Sequence, residues 1–226
     1  MHQQKNKKIF IYIFLFFIIG TFNNKNLTDK YLFRIENIYV TGLDEKSNNN
    51  LIDDLTFLKI NNLFFLNKFE ISEIISSNNQ IEKFTVFKKY PSSLNINVEK
   101  TKVLANLKKD GEFFSLGSNG KLIKIKNLKK NIPFIFGDFN NRNFFELKKN
   151  IEKTDFSYKN IKNFFFFQSG RWDIETHSGI LIKLPRKEIK RSLEISIKII
   201  NENEFKKMNK IDLRQLNQII IDGQKS

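Results

Sequence analysis

The chain opens with an apolar run over residues 9–22, behind Lys5, Lys7 and Lys8, and no charge follows until Lys25. The run is apolar on every face, which argues against a helix packed on one side of a core. As a helix it reaches only ~21 Å at about 1.5 Å per residue, short of the roughly 30 Å hydrocarbon core of a bilayer. The uncharged stretch continues to Asn24, and the lysines can snorkel, which eases the mismatch. A cleavable signal peptide needs small residues at a cleavage site, and Gly20-Thr21-Phe22-Asn23 is a poor one. The pattern therefore predicts an uncleaved transmembrane anchor over 9–24, after a stub over 1–8 and before a polar linker over 25–31. The lysines before the run and Lys25, Lys30 and Arg34 after it nearly balance, so charge alone does not orient it.

Short periodic segments follow. Phe33, Ile35, Ile38 and Val40 suggest a strand closed by Gly42. Ser47 is placed to cap a helix with Leu51, Ile52, Leu55 and Leu58 on one face. Asn67-x-x-Glu70 has the spacing of a capping box ahead of a helix bearing Ile71, Ile74 and Ile75. Ile81 to Lys89 reads as a strand with Phe84, Val86 and Lys88 on one face. Tyr90-Pro91-Ser92-Ser93 makes a turn. Leu94, Ile96 and Val98 then alternate with Asn95, Asn97 and Glu99 as a half-buried strand. The order is β-α-α-β-β.

Residues 101–221 form a second unit. Val103-x-Ala105 starts it, Gly117-Ser118-Asn119-Gly120 reads as a hairpin, and Ile132-Pro133-x-Ile135-x-Gly137 as a short strand. One helix is predicted near residues 144–151. Another is predicted over 186–200, with Ile189, Leu193, Ile197 and Ile200 at helical spacing. Leu193, Ile195, Ile197 and Ile199 also alternate like a strand there, but length and the charged first turn favour helix. Four consecutive phenylalanines, Phe164 to Phe167, and Trp172 read as strand packing. Ile211-Asp212-Leu213-Arg214 lies in a last strand over 211–221, followed by a tail over 222–226.

Composition changes little. The 25 Phe against 1 Trp fit an A/T-rich codon bias. The net charge of +15 raises the question of nucleic acid, but the lysines are spread in pairs such as Lys108-Lys109 and Lys206-Lys207. No arginine-rich arm or aromatic-basic motif accompanies them, so no nucleic-acid partner is predicted. The absence of Cys excludes disulfides and thiolate chemistry, and His2 and His177 are too few for a multi-histidine metal site. Ser169 and Ser178 have no nucleophile motif around them, His177 sits before a turn, and Asp53-Asp54 reads as a solvated helix face. No phosphate-binding glycine loop occurs. The chain is expected to have no enzymatic activity, no cofactor, no metal and no small-molecule substrate, and to work by binding.

An apolar anchor, a β-α-α-β-β unit whose second strand runs into Tyr90-Pro91, Val98-Glu99-Lys100, the Gly117–Gly120 hairpin and the terminal Ile211-Asp212-Leu213-Arg214, in that order, resemble the FtsQ/DivIB family of bacterial cell-division proteins. The resemblance implies an α+β fold: a POTRA domain over 32–100 and a mostly antiparallel β domain with flanking helices over 101–221. The chain departs from the family in Lys100 after Glu99, in lacking a proline soon after, and in having no Asp where Gly117 or Ser118 stands.

The same resemblance implies an inner-membrane protein with a cytoplasmic N-terminus and periplasmic domains, acting at the division septum. Its implied partners are FtsB and FtsL homologues and, through them, FtsW and FtsI. Partner-contacting positions map onto Arg171, Arg214, Gln215, Leu216, Asn217 and Gln218, and a recruitment surface onto Val86 and Lys88. An exposed last strand would take a partner segment by β-strand addition. Two alternatives stand beside this: Asp212 and Arg214 as a purely internal pair with Ile219 to Ile221 as core, and another POTRA-bearing component of envelope secretion or assembly.

Overall fold

A computed structural model describes residues 3–22, 33–128, 130–202, 208–215 and 218–223. The chain divides into two units, one ending at Lys100 and the other beginning at Thr101.

The first unit opens with α1 (Gln3–Phe22), whose apolar side chains from Ile9 to Phe17 are exposed. Lys5, Lys7 and Lys8 fall inside this helix and shorten its apolar part. No helix among the described residues is long and apolar enough to cross a membrane. The spanning anchor expected over 9–24 is therefore not shown; Asn23 and Asn24 lie outside the described residues.

Next come β1 (Asn37–Thr41), α2 (Glu45–Asp54), α3 (Lys68–Ser77), β2 (Ile81–Lys89) and β3 (Ser93–Lys100). The sheet order is β1-β3-β2, with β1 parallel and β2 antiparallel to the central β3. Ile38 and Val40, with Leu94, Ile96 and Val98, bury one face of it against Leu51 and Leu55 and against Ile71 and Ile75 of α3. That burial of aliphatic area is what holds the layers together.

Two expectations change. Phe33 has φ +65° and does not extend the strand, so β1 begins at Asn37. Helix α2 is capped by Asp44, whose carboxylate accepts from Ser47 N at 3.1 Å and Ser47 Oγ at 2.8 Å. Ser47 is thus the donor inside the first turn, and the better acceptor takes the cap. Leu58, expected on that helix, is buried from the 3-10 turn Thr56–Ile60 that follows. Asn67 caps α3, its Oδ1 accepting from Phe69 N at 3.0 Å.

The second unit contains β4 (Val103–Lys109), β5 (Glu112–Gly117), β6 (Leu122–Lys124), β7 (Phe134–Phe136), α4 (Asn141–Glu152), β8 (Ile161–Phe166), β9 (Trp172–Thr176), β10 (Leu181–Lys183), α5 (Ile189–Asn201), β11 (Met208–Gln215) and β12 (Gln218–Gly223). The segment with two periodicities is the helix α5. One sheet runs β12-β11-β10-β9-β8-β7-β4-β5-β6. It is mixed and mostly antiparallel; only β4–β7, β7–β8 and β10–β11 are parallel among the pairings of the described strands.

Register sorts this sheet into two faces. Leu107, Ile135, Phe164, Ile174, Ile182 and Ile211 lie side by side on successive strands. All are buried, in one core with Phe144, Leu147 and Ile151 of α4 and Leu193 and Ile199 of α5. Trp172 sits in this core among Phe139, Phe144, Phe164 and Phe166, with ring centroids 4.8–6.3 Å away. The neighbouring register row is Phe136, Phe165, Asp173, Lys183, Asp212 and Ile220. Side chains alternate along a strand, so this row faces away from α4 and α5.

The last run departs from its expectation. Residues 211–221 are not one exposed strand: the chain reverses after Gln215, and β12 returns antiparallel to β11. The strand carrying Asp212 and Arg214 is therefore internal, and β12 forms the edge. Asp222 and Gly223, expected in a tail, belong to β12.

Candidate interaction surface

The outward row of the second unit carries three charged side chains, Asp173, Lys183 and Asp212. Lys183 on β10 stands between Asp173 on β9 and Asp212 on β11 in direct register. Two residues from each aspartate, on the same face, is an arginine. Arg214 grips Asp212 closely: Nε lies 2.8 Å from Oδ1 and 2.9 Å from Oδ2, and Nη2 lies 2.5 Å from Oδ2. Arg171 reaches Asp173 through a single bond, Nε to Oδ1 at 3.1 Å, and its guanidinium also covers the Phe167 ring at 4.2 Å.

The two carboxylates respond in opposite directions. Hydrogen bonds from Arg214 hold Asp212 below its ordinary range against the pull of burial. Asp173 is pushed up, because burial outweighs Arg171, Lys183 and Arg214 together. A fork that supplies several N–H groups to one carboxylate favours the ion more than one longer bond does. Both aspartate side chains are almost fully buried, whereas Arg214 keeps 42% of its side chain in solvent.

The end of this face is a concavity lined by Asp212, Arg214, Gln215, Gln218 and Ile220. Gln215 and Gln218 are register partners across the hairpin. On the other side of the same hairpin, a second groove runs between α5 and the edge, lined in part by Arg191, Ile195, Leu213 and Ile219. Ile219 and Ile220 are 46% and 43% exposed on β12. An edge strand with open backbone and apolar side chains on both faces is a template for another strand.

Of the residues singled out in the sequence, Arg214, Gln215 and Gln218 are brought together here. Arg171 shares the face but lies just before β9, which begins at Trp172. Leu216 and Asn217 lie outside the described residues. Val86 and Lys88 are in the first unit. Val86 is half-buried against that unit's core, and Lys88 Nζ donates to the carbonyls of Phe64 and Leu66, each at 3.1 Å. The sequence reading missed Asp173 and Lys183 as members of this ladder, and it missed the exposed Ile219 and Ile220. No cluster of His, Cys, Asp or Glu among the described residues has the form of a metal site.

Comparison with known proteins places both units. Residues 33–100 match the family described as POTRA domain, FtsQ-type, and residues 105–214 match Cell division protein FtsQ/DivIB, C-terminal. The chain is 28% identical to a cell division protein DivIB of Clostridium botulinum, over 92% of this chain and 88% of that one. It is 23% identical to a cell division protein FtsQ of Rickettsia bellii, over 84% and 72%. The extracytoplasmic domain of DivIB from Geobacillus stearothermophilus aligns with a TM-score of 0.33 and 14% identity, over 42% of this chain and 87% of that domain.

Proposed function

The chain belongs to the FtsQ/DivIB family of bacterial cell-division proteins, and from that premise we propose that it is a non-enzymatic, membrane-attached scaffold of the division machinery. In this reading α1 holds the chain to the inner membrane, its lysines at the cytoplasmic surface and the two units on the periplasmic side at the septum. The partners are FtsB and FtsL homologues, and through them FtsW and FtsI, the enzymes that build septal peptidoglycan.

The observation that carries the binding mode is that β12 is the edge of its sheet, with Ile219 and Ile220 exposed. A partner segment adds to β12 through main-chain hydrogen bonds, which supply affinity, while Arg214, Gln215 and Gln218 in the adjoining concavity select side chains. Arg214 works from a preset position, since Asp212 fixes its guanidinium before a partner arrives. Arg171, Leu216 and Asn217 extend the contact. Val86 and Lys88 serve a separate recruitment surface on the first unit.

The test is capture of the full chain, in detergent, by a peptide from the same organism's FtsB homologue. Arg214→Glu is compared with wild type and with Lys88→Met, fold being followed by circular dichroism. Saturable binding that Arg214→Glu abolishes and Lys88→Met preserves is the expected result. Failure of the folded wild type to bind removes the partner assignment. Binding indifferent to Arg214→Glu moves the site off this concavity.

A further inference from the structure

One end of the first unit carries an aromatic surface that its core does not use. The connector from Thr56 to Phe69 contains no acidic residue, and its apolar side chains divide between two destinations. Leu58, Leu63 and Leu66 are buried, whereas Phe57, Ile60, Phe64, Phe65 and Phe69 stand in solvent, Phe65 at 81%.

The exposed rings sit on a fixed backbone. Phe64 N donates to Asn62 Oδ1 at 2.8 Å, and Lys88 Nζ ties the carbonyls of Phe64 and Leu66 to β2. Leu63 N donates to Phe33 O at 2.6 Å, which brings Phe33 alongside. Phe33 in turn meets Tyr90 edge-on at 5.9 Å, and Phe64 meets Phe65 at 5.3 Å. Exposed apolar side chains gathered on one short, tied segment are the kind of surface that marks an interaction site.

Two observations identify the occupant. The charges within the connector are both cationic, Lys59 and Lys68, and Lys88 of β2 lies against it. Phe33, at the patch, is separated from the apolar helix α1 only by residues 23–32, which reach at most ~35 Å. Rings that insert at headgroup depth, with lysines reaching for phosphates, are the composition of an interfacial membrane contact.

We propose that this surface docks the first unit onto an anionic lipid bilayer, a second membrane contact beyond α1. It draws on the reading of α1 as the anchor only for proximity.

The chain has no Cys, so Ile60→Cys provides a single thiol for a polarity-sensitive fluorophore. The full chain is incorporated in nanodiscs of phosphatidylcholine, with or without phosphatidylglycerol, doped with nitroxide lipid. The expected result is a blue shift and quenching in the anionic discs, weakened by high salt. Both effects are lost when Phe64, Phe65 and Phe69 are replaced by Ser in a chain of unchanged circular dichroism. A label at Glu99→Cys, near the far end of β3, stays unquenched. An unquenched Ile60 label in anionic discs, or quenching equal at Glu99, overturns the proposal, as does quenching that survives the serine replacements. Retention of the chain in discs of phosphatidylcholine alone reads the α1 anchor separately, so the two readings fail independently.

Discussion

Arg214 holds the carboxylate of Asp212, two residues behind it on the same strand, through both oxygens at 2.8 and 2.5 Å. The aspartate is buried and the arginine half exposed. The pair is therefore internal at one end and available to a partner at the other, so the internal pairing and the binding role of Arg214 are compatible.

Asp212→Asn is expected to cost about 2 kcal/mol at neutral pH, the scale of hydrogen bonds to a buried charged group. The folded pKa of Asp212 lies below its ordinary 3.8. Its stabilisation is thus fully present above that value and is lost as the pH falls through the folded pKa. Urea midpoints of wild type and variant, measured from pH 7 downward, converge in acid.

The Asp44 carboxyl is held down to about 2, from its ordinary 3.8, because Ser47 and then Lys100 bond to it. The same sign applies: its contribution is whole above 3.8 and disappears as the pH falls towards 2. Asp44→Ala lowers the thermal midpoint of the first unit at pH 7, while Asp44→Asn retains most of it, since Asn also caps helices well. Thermal melts of both variants at pH 7 and pH 2.5 check this, with the difference from wild type shrinking at the lower pH.

Gly42→Ala separates close approach from backbone conformation. Gly42 has φ +112°, and a Cβ there would lie 1.7 Å from the carbonyl oxygen of Val98 in β3. Backbone cannot step aside as a side chain can, so a loss above roughly 3 kcal/mol is expected. Gly111 has φ +81° with open space around it, and Gly111→Ala should cost only about 1–2 kcal/mol. Chemical denaturation of the two variants makes the comparison.

Phe144→Ala removes a fully buried ring that contacts Trp172. A loss of about 3–5 kcal/mol is expected. The single tryptophan reports it directly, as an earlier fluorescence transition in denaturant.

The β-α-α-β-β order of the first unit was legible because its strands are half-buried and alternate cleanly, as Leu94, Ile96 and Val98 do. The start of β1 was not, since nothing in Phe33-x-Ile35 announces a positive φ at Phe33. Asp44 and Ser47 are both competent caps three residues apart, and only geometry shows which accepts. Three consecutive isoleucines read alike in a core and on an edge, so Ile219 and Ile220 gave no signal of exposure. The Asp173–Lys183–Asp212 ladder joins three strands through register, which no local pattern records.

The parallel pairing of β1 with β3 has a kinetic consequence. Thr41 meets Asn97 across a separation of 56 residues, and between them lie both helices and β2. Closing so long a loop is entropically slow, and contacts of this range set the pace of folding. During synthesis β1 emerges with no strand to pair with and must wait, unsheltered, until the strand that will become its neighbour has been made.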